Sequence, residues 1–244
     1  MDITRILEIA LSLIAVFTAI ILHEVAHGYV AFRLGDPTAK TRGRLTLNPL
    51  AHIDPIGTIL VPIFLLIINS PFLFGWAKPV PINPGYFRNP FKGMLFVAVA
   101  GPATNVALAL ATTVIGRVVL LAVPNSLLGL VERNGVLYRS SIINQSFAGN
   151  LVHALVYLLG IFVVYNVILA VFNMIPIPPL DGSRVLTYFL PPEGRRVMIM
   201  LERYGFIILI ALIYLGGLQA LFNLMGGLWQ GLLGSRWLIA LSVF

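Results

Sequence analysis

Residues His23-Glu24-Val25-Ala26-His27 set two imidazoles and a carboxylate inside an otherwise apolar stretch, with Ile3 to Leu22 before them and Gly28 to Leu34 after. An ionisable side chain at bilayer depth costs ~2.5–3.5 kcal/mol even on the lenient insertion scale. A chain that carries such a cluster must fold so that these groups face a polar cavity or one another.

Composition says that the solvent in question is a membrane. Of 244 residues, 59% are hydrophobic and 10% charged, with a mean hydropathy of +0.95. Soluble domains carry about 25% charge. The net charge of +7 would suit a nucleic-acid binder. In a polytopic protein it reads instead as cytoplasmic loops obeying the positive-inside rule, so the bilayer and not nucleic acid is the expected partner. Cysteine is absent, which leaves only His, Asp and Glu to hold any metal.

Four apolar segments, 6–34, 91–123, 149–173 and 205–224, come near the ~20 residues needed to cross. Residues 56–74 are apolar but carry Pro62, Asn69 and Pro71 and read as a re-entrant or broken element. Residues 225–243, interrupted by Gly226, Gly227, Gly234 and Arg236, read as a further span or an interfacial segment. The expectation is an all-α polytopic membrane protein with about 4–6 transmembrane helices. No internal repeat is evident. The first segment is too long for a signal peptide and opens on MDITR, with one base and one acid, so it reads as a retained span.

Lys and Arg set the orientation. With the N-terminus outside and 56–74 re-entrant, the inside segments hold Arg33, Lys40, Arg42, Arg44, Lys78, Arg88, Lys92, Arg184, Arg195, Arg196 and Arg203. The outside segments hold Arg5, Arg117, Arg133 and Arg139. A full crossing by 56–74 would weaken this bias, so the re-entrant reading is favoured.

The chemistry begins with spacing. His23 and His27 are four residues apart, hence on one helix face and about 6 Å apart along the axis. Both can point a ring nitrogen at one ion at ~2.0–2.1 Å. Glu24 lies close enough to reach a water there without being a ligand. A structural metal pair and a coincidental pattern are the alternatives. A catalytic zinc takes three protein ligands, and the best third candidate is Asp181, in the run Asn173-Met174-Ile175-Pro176-Ile177-Pro178-Pro179-Leu180-Asp181-Gly182. The prolines there cannot continue a helix, and broken backbone at membrane depth is tolerable where it lines a polar cavity. Gly182 would let the chain turn sharply after the carboxylate. Asp2, Asp36 and Asp54 lie in terminal or loop sequence. The competing reading of Asp181 is a polar turn leaving the membrane.

These motifs together resemble the site-2 protease family of intramembrane zinc metalloproteases. His23 to His27 matches its H-E-x-x-H helix, Gly101-Pro102-Ala103-Thr104-Asn105 its G-P-x-x-N motif, and Asn173 to Gly182 its N-x-x-P-x-P-P-L-D-G element, in the family's order. The resemblance covers roughly residues 6–190. It implies one zinc per chain bound by His23, His27 and Asp181, with Glu24 as catalytic base. It implies a site within the membrane towards the cytosolic side, and regulated intramembrane proteolysis of single-span membrane proteins or membrane peptides. The chain is then a single membrane-embedded metalloprotease domain over 1–244, with C-terminal membrane segments at about 205–244 and a prokaryotic plasma membrane as the expected location. Residues 124–148 are too short for the PDZ domain of larger relatives, and a compact form without a nucleotide-binding regulatory domain is expected.

Asn105 and Asn173 sit beside the motifs and could bind substrate or polarise the scissile carbonyl; interhelical hydrogen bonding is the alternative. Residues 40–55 and 75–85 are broken by Pro and Gly while Thr41, Leu45, Leu47, Val80 and Ile82 suit short strands; the resemblance implies that they form a small membrane-associated β element near the zinc site, with ordinary cytosolic loops as the alternative. Its edge could pair with an extended substrate. His52, beside Asp54, could touch the site but reads better as a surface or capping residue, and His153 reads as structural. Residues 191–204 read as an interfacial helix or as the start of the next span. Two other functions fit the same residues: a zinc or ion transporter, and a non-catalytic binder of membrane segments. A transporter would show repeats, and neither function needs Glu24.

Overall fold

The structure, a computed structural model, describes residues 3–67, 76–124, 130–133, 136–139 and 147–241. Among the described residues, three helices are long and apolar enough to cross a membrane: Ile6–Arg33 within α1 (Ile3–Arg33), α4 (Pro90–Ala122), and Gly149–Asn173 within α5 (Phe147–Asn173). At 1.5 Å per residue, each exceeds the ~30 Å hydrocarbon core. Val106, Leu110, Val114 and Val118, spaced by four on α4, are all exposed. Such an apolar stripe is disfavoured in water and at home in lipid.

The expected fourth span at 205–224 is not one helix. It is divided into α8 (Gly205–Tyr214) and α9 (Gly217–Leu233), with Gly216 between them at φ 85°. This left-handed residue ends the helical path, and neither piece alone spans ~30 Å. Residues 225–241 fall in α9 and α10 (Ser235–Leu241). Trp229 and Trp237 there are 2% and 0% exposed, so these side chains belong to a core. Residues 242–243 lie outside the described residues.

The chain divides into two compact units. The first comprises Met1–Ala19, Asn105–Phe172 and Phe206–Phe244. Its core gathers Val156, Val163, Val164, Met225, Trp229 and Trp237. The Trp237 indole N–H donates to the Val156 carbonyl at 3.0 Å. Arg117 donates to the carbonyls of Gly231 and Leu232 at the C-terminal end of α9, where a cation offsets the helix dipole. Asn105 and Asn166 are both fully buried, and Asn105 Nδ2 donates to Asn166 Oδ1 at 2.8 Å. Asn166 Nδ2 in turn donates to Phe162 O. This unit also holds a strand pair among the described residues, β1 (Leu130–Arg133) antiparallel to β2 (Val136–Arg139).

The second unit comprises Ile20–Thr104 and Asn173–Gly205. The strands expected at 40–55 and 75–85 are not found among its described residues. The chain there forms α2 (Thr38–Thr41), a 3-10 turn at Pro49–His52 and a π-helical turn at Pro55–Leu60 leading into α3 (Val61–Ile67). Local side-chain caps explain this. Asp36 accepts from Thr38 N, Asn48 from Leu50 N, and Asp54 from Ile56 N and Gly57 N, and such bonds compete with a strand ladder. Residues 76–83 are irregular and are pinned from elsewhere. The buried Arg44 guanidinium donates to the carbonyls of Ala51, Lys78 and Pro79, Lys78 N donates to His52 O, and Asn83 N to the buried Asp36. His52 is 3% exposed, not a surface residue, and its Nε2 meets Thr46 O at 2.9 Å.

Trp76 N donates to Gly57 O at 3.2 Å, and Thr58 Oγ1 to Trp76 O at 2.8 Å. The chain therefore returns at Trp76 to the place it left at Gly57. Residues 68–75, which hold Asn69 and Pro71 of the segment read as re-entrant, lie outside the described residues.

The last elements of this unit are α6 (Asp181–Phe189) and α7 (Pro192–Glu202). On α7, Val197, Ile199 and Met200 are exposed and Met198 is buried. The helix expected at 191–204 is thus present, with apolar side chains at its surface.

The Asn105–Asn166 bond yields a stability prediction. Replacing either residue by Val removes this bond and leaves the facing amide group of its partner unmatched, which should cost about 1 kcal/mol or more. The double Val variant should cost clearly less than the sum, as read from unfolding in detergent. Additive losses would show that the two amides do not depend on each other.

Candidate metal centre

The last third of α1 carries His23, Glu24 and His27. Helical spacing stacks the two imidazoles edge to face, with ring centroids 4.5 Å apart and their Nε2 atoms 2.9 Å apart. Asp181 completes the group. Its Oδ2 lies 3.2 Å from His23 Nε2 and 3.2 Å from His27 Nε2. All three residues offer a ligand atom within 4.8 Å of the others.

The donor set fits a metal. Tetrahedral bonds of ~2.0–2.1 Å place ligand atoms about 3.3 Å apart, and the observed triangle has sides of 2.9, 3.2 and 3.2 Å. Asp181 Oδ2 is buried and has no hydrogen-bond partner in the protein. A buried carboxylate oxygen without a donor is costly unless a cation occupies the place it faces.

Backbone groups hold the set in register. His27 Nδ1 lies 2.6 Å from the Val97 carbonyl. A carbonyl can only accept, so Nδ1 carries the proton and Nε2 keeps its lone pair for the metal. Val80 N donates to Glu24 Oε2 at 2.8 Å, which fixes one carboxylate oxygen and leaves Oε1 to act. Sequence reading missed both contacts, because neither a main-chain carbonyl on α4 nor an amide in an irregular loop has a side-chain signature.

The Gly101-Pro102 pair on α4 gains a physical meaning here. A Cβ at residue 101 would stand 2.5 Å from His27 Nε2 and 2.6 Å from His23 Cε1. Only glycine lets α4 approach the two imidazoles this closely. Pro102 lies inside α4 and has no N–H, so the Ala98 carbonyl loses its helical donor. Ala98 lines the same cavity as the histidines.

Asp181 reaches the site from a turn. α5 ends at Asn173, and residues 174–180 close on themselves through Ile177 N to Ile175 O and Leu180 N to Ile177 O. The carboxylate stands in the first turn of α6, where the helix dipole favours negative charge. Gly182 does not provide the sharp turn expected of it; it is already helical. A Cβ there would lie 2.2 Å from Met174 O and 2.5 Å from Ile175 O, so glycine is required by packing behind Asp181.

The three candidate ligands and Glu24 open onto one cavity of about 310 Å³. Pro79 and Val80 form part of its wall, with Val97, Asn173 and Arg184. Asn173 is therefore brought to the site. Asn105 belongs to the first unit, where its amide bonds Asn166, the interhelical role weighed above. His153, also in the first unit, is buried with its ring 6.3 Å from that of Tyr157. Arg184 was not singled out from sequence. Its position three residues after Asp181, on the same face of α6, is the signal that could have found it.

Comparison with known proteins follows the same lines. Residues 11–212 match the model of peptidase family M50. The chain is 37% identical over 204 residues to "Putative zinc metalloprotease YwhC" of Bacillus subtilis, covering 84% of this chain and 78% of that one. It is 33% identical over 184 residues to "Putative zinc metalloprotease MJ0611" of Methanocaldococcus jannaschii (75% and 72%). It is also 30% identical over 196 residues to "Putative zinc metalloprotease Rip2" of Mycolicibacterium smegmatis, where it spans 79% of its own length and 62% of the relative's. No solved structure matches the chain. With its H-E-x-x-H helix, its distant aspartate and its apolar spans in one chain, this integral membrane protein belongs to peptidase family M50, the site-2 protease family.

Proposed function

We propose that this chain is a zinc-dependent endopeptidase that hydrolyses peptide bonds within or near the membrane-spanning segments of other membrane proteins. The observation that carries the reading is the convergence of His23, His27 and Asp181 on one point, with the free edge of Glu24 in the same cavity. Relatives named as zinc metalloproteases support zinc as the ion. When bound, zinc supplies Lewis acidity and lowers the pKa of a water towards about 7.

The chain's own groups do the rest. His23, His27 and Asp181 hold the ion, and the Val97 carbonyl keeps His27 in the binding tautomer. Glu24, steadied through Oε2 by the Val80 amide, takes the proton of the attacking water at Oε1. It then returns that proton to the departing amine nitrogen. Asn173 offers amide protons to the carbonyl oxygen under attack. A helical membrane segment hides its peptide bonds, so substrate must extend to react, and the irregular stretch 76–83 along the cavity gives such a chain a wall to lie on.

Two features support a site reached from the cytosolic side. Lys and Arg concentrate in the segments around the motifs. The closure of Gly57 on Trp76 also favours a segment that enters and leaves on one face. The natural substrates would then be single-span proteins or membrane peptides in a prokaryotic plasma membrane, cut in the course of regulated proteolysis.

Metal content is the first test. Purified wild type should carry about one zinc per chain, and Asp181→Ala should lose most of it; equal occupancy in both removes Asp181 from the ligand set. Glu24→Gln should keep zinc and lose cleavage of a single-span test substrate by at least about a thousandfold, and turnover retained there defeats the mechanism. Gly101→Val should lose zinc even though it touches no ligand's chemistry, because its branched side chain falls on both imidazoles. Full occupancy in that variant would mean that α4 does not hold the histidines.

A further inference from the structure

A second cavity, of about 230 Å³, adjoins the site within the same unit. It shares two wall residues with the metal cavity, Met94 and Arg184. Pro178 lines the second cavity and Pro179 the first, so the turn that delivers Asp181 separates them. We propose that this second cavity is a side-chain subsite that receives a large apolar residue immediately flanking the scissile bond. The inference rests on the metalloprotease reading and adds to it the class of substrate side chain selected.

Position is the first argument. Asp181 and Arg184 are three residues apart on α6 and so share a face, about 5–6 Å between Cβ atoms. An extended peptide advances 3.2–3.4 Å per residue and sends successive side chains to opposite faces. A pocket one helical turn from a metal ligand therefore lies within reach of a residue next to the bond held at the metal.

Lining chemistry is the second. Phe91, Met94, Met198 and Ile199 supply apolar surface, and prolines 84, 90 and 178 complete the wall. The charged residues of the wall, Arg184 and Glu202, face each other with Arg184 Nη2 3.5 Å from Glu202 Oε1. The two opposite charges offset each other at the rim, which leaves the apolar wall as the main contact surface. Size is the third argument. An apolar cavity of about 150 Å³ holds benzene, so this one admits a leucine or phenylalanine side chain.

Thr187 lines the second cavity and is absent from the lining of the first. Ile199, 59% exposed on α7, likewise lines only the second. The test uses the zinc-loaded full chain in detergent and a series of peptide hydroxamates that differ in one side chain beside the chelating group: methyl, isobutyl or benzyl. Affinity is measured by calorimetry, so no natural substrate is needed. Wild type should bind the isobutyl and benzyl compounds at least about tenfold more tightly than the methyl compound. Thr187→Phe and Ile199→Trp, which fill the pocket, should abolish that preference while zinc content and methyl affinity stay within about twofold. Equal affinities across the series in wild type, or a preference that survives both variants, overturn the subsite while leaving the metal centre intact. A protein that holds no zinc, or whose zinc no hydroxamate reaches, overturns the metalloprotease reading and the subsite with it.

Discussion

One carboxylate oxygen held against two imidazole nitrogens is the arrangement on which the site depends. Each of these groups is buried or nearly so, and each would be costly in apolar surroundings on its own. Brought together they form a compact donor set whose charge a divalent cation balances. The same requirement accounts for features that lie far apart in the chain: the four-residue spacing on α1, the glycine of α4 that admits both rings, and the self-bonded turn that presents Asp181 at the head of α6.

Much of the orientation is done by main chain. The Val97 carbonyl selects the tautomer of His27, and the Val80 amide anchors Glu24. Proline at 102 removes a donor from the carbonyl of Ala98 in the cavity wall. Backbone groups on helices and pinned loops have little freedom to lose, so they position reactive side chains without the entropic cost of ordering a second layer of long side chains.

The H-E-x-x-H cluster was legible because helical periodicity is a strong signal and ionisable residues in apolar sequence are rare. The structure brings His23, His27 and Asp181 within reach of one ion and sets Glu24 on the same cavity. The loops were less legible. Alternation at Leu45, Leu47, Val80 and Ile82 resembles a strand, yet Asp36, Asn48 and Asp54 cap local turns, and the irregular stretch 76–83 has no ladder partner among the described residues. At 205–224 mean hydropathy outweighed Gly216, whose positive φ divides the helix. Asn105 looked somewhat better suited to substrate than to packing; its bond to Asn166 has no signature in the sequence. Gly101 was visible as part of a motif, but its contact with both imidazoles required coordinates.

Arg44 has a wider consequence. Its guanidinium is 6% exposed and donates only to main-chain carbonyls, two of them at Lys78 and Pro79. The next residue is Val80, whose amide steadies Glu24. Glu24 is therefore positioned by a cation that never meets it, through a relay of two peptide units. A lysine, with one point of charge in place of a planar fork, would keep the sign of that residue and lose its grip on the loop.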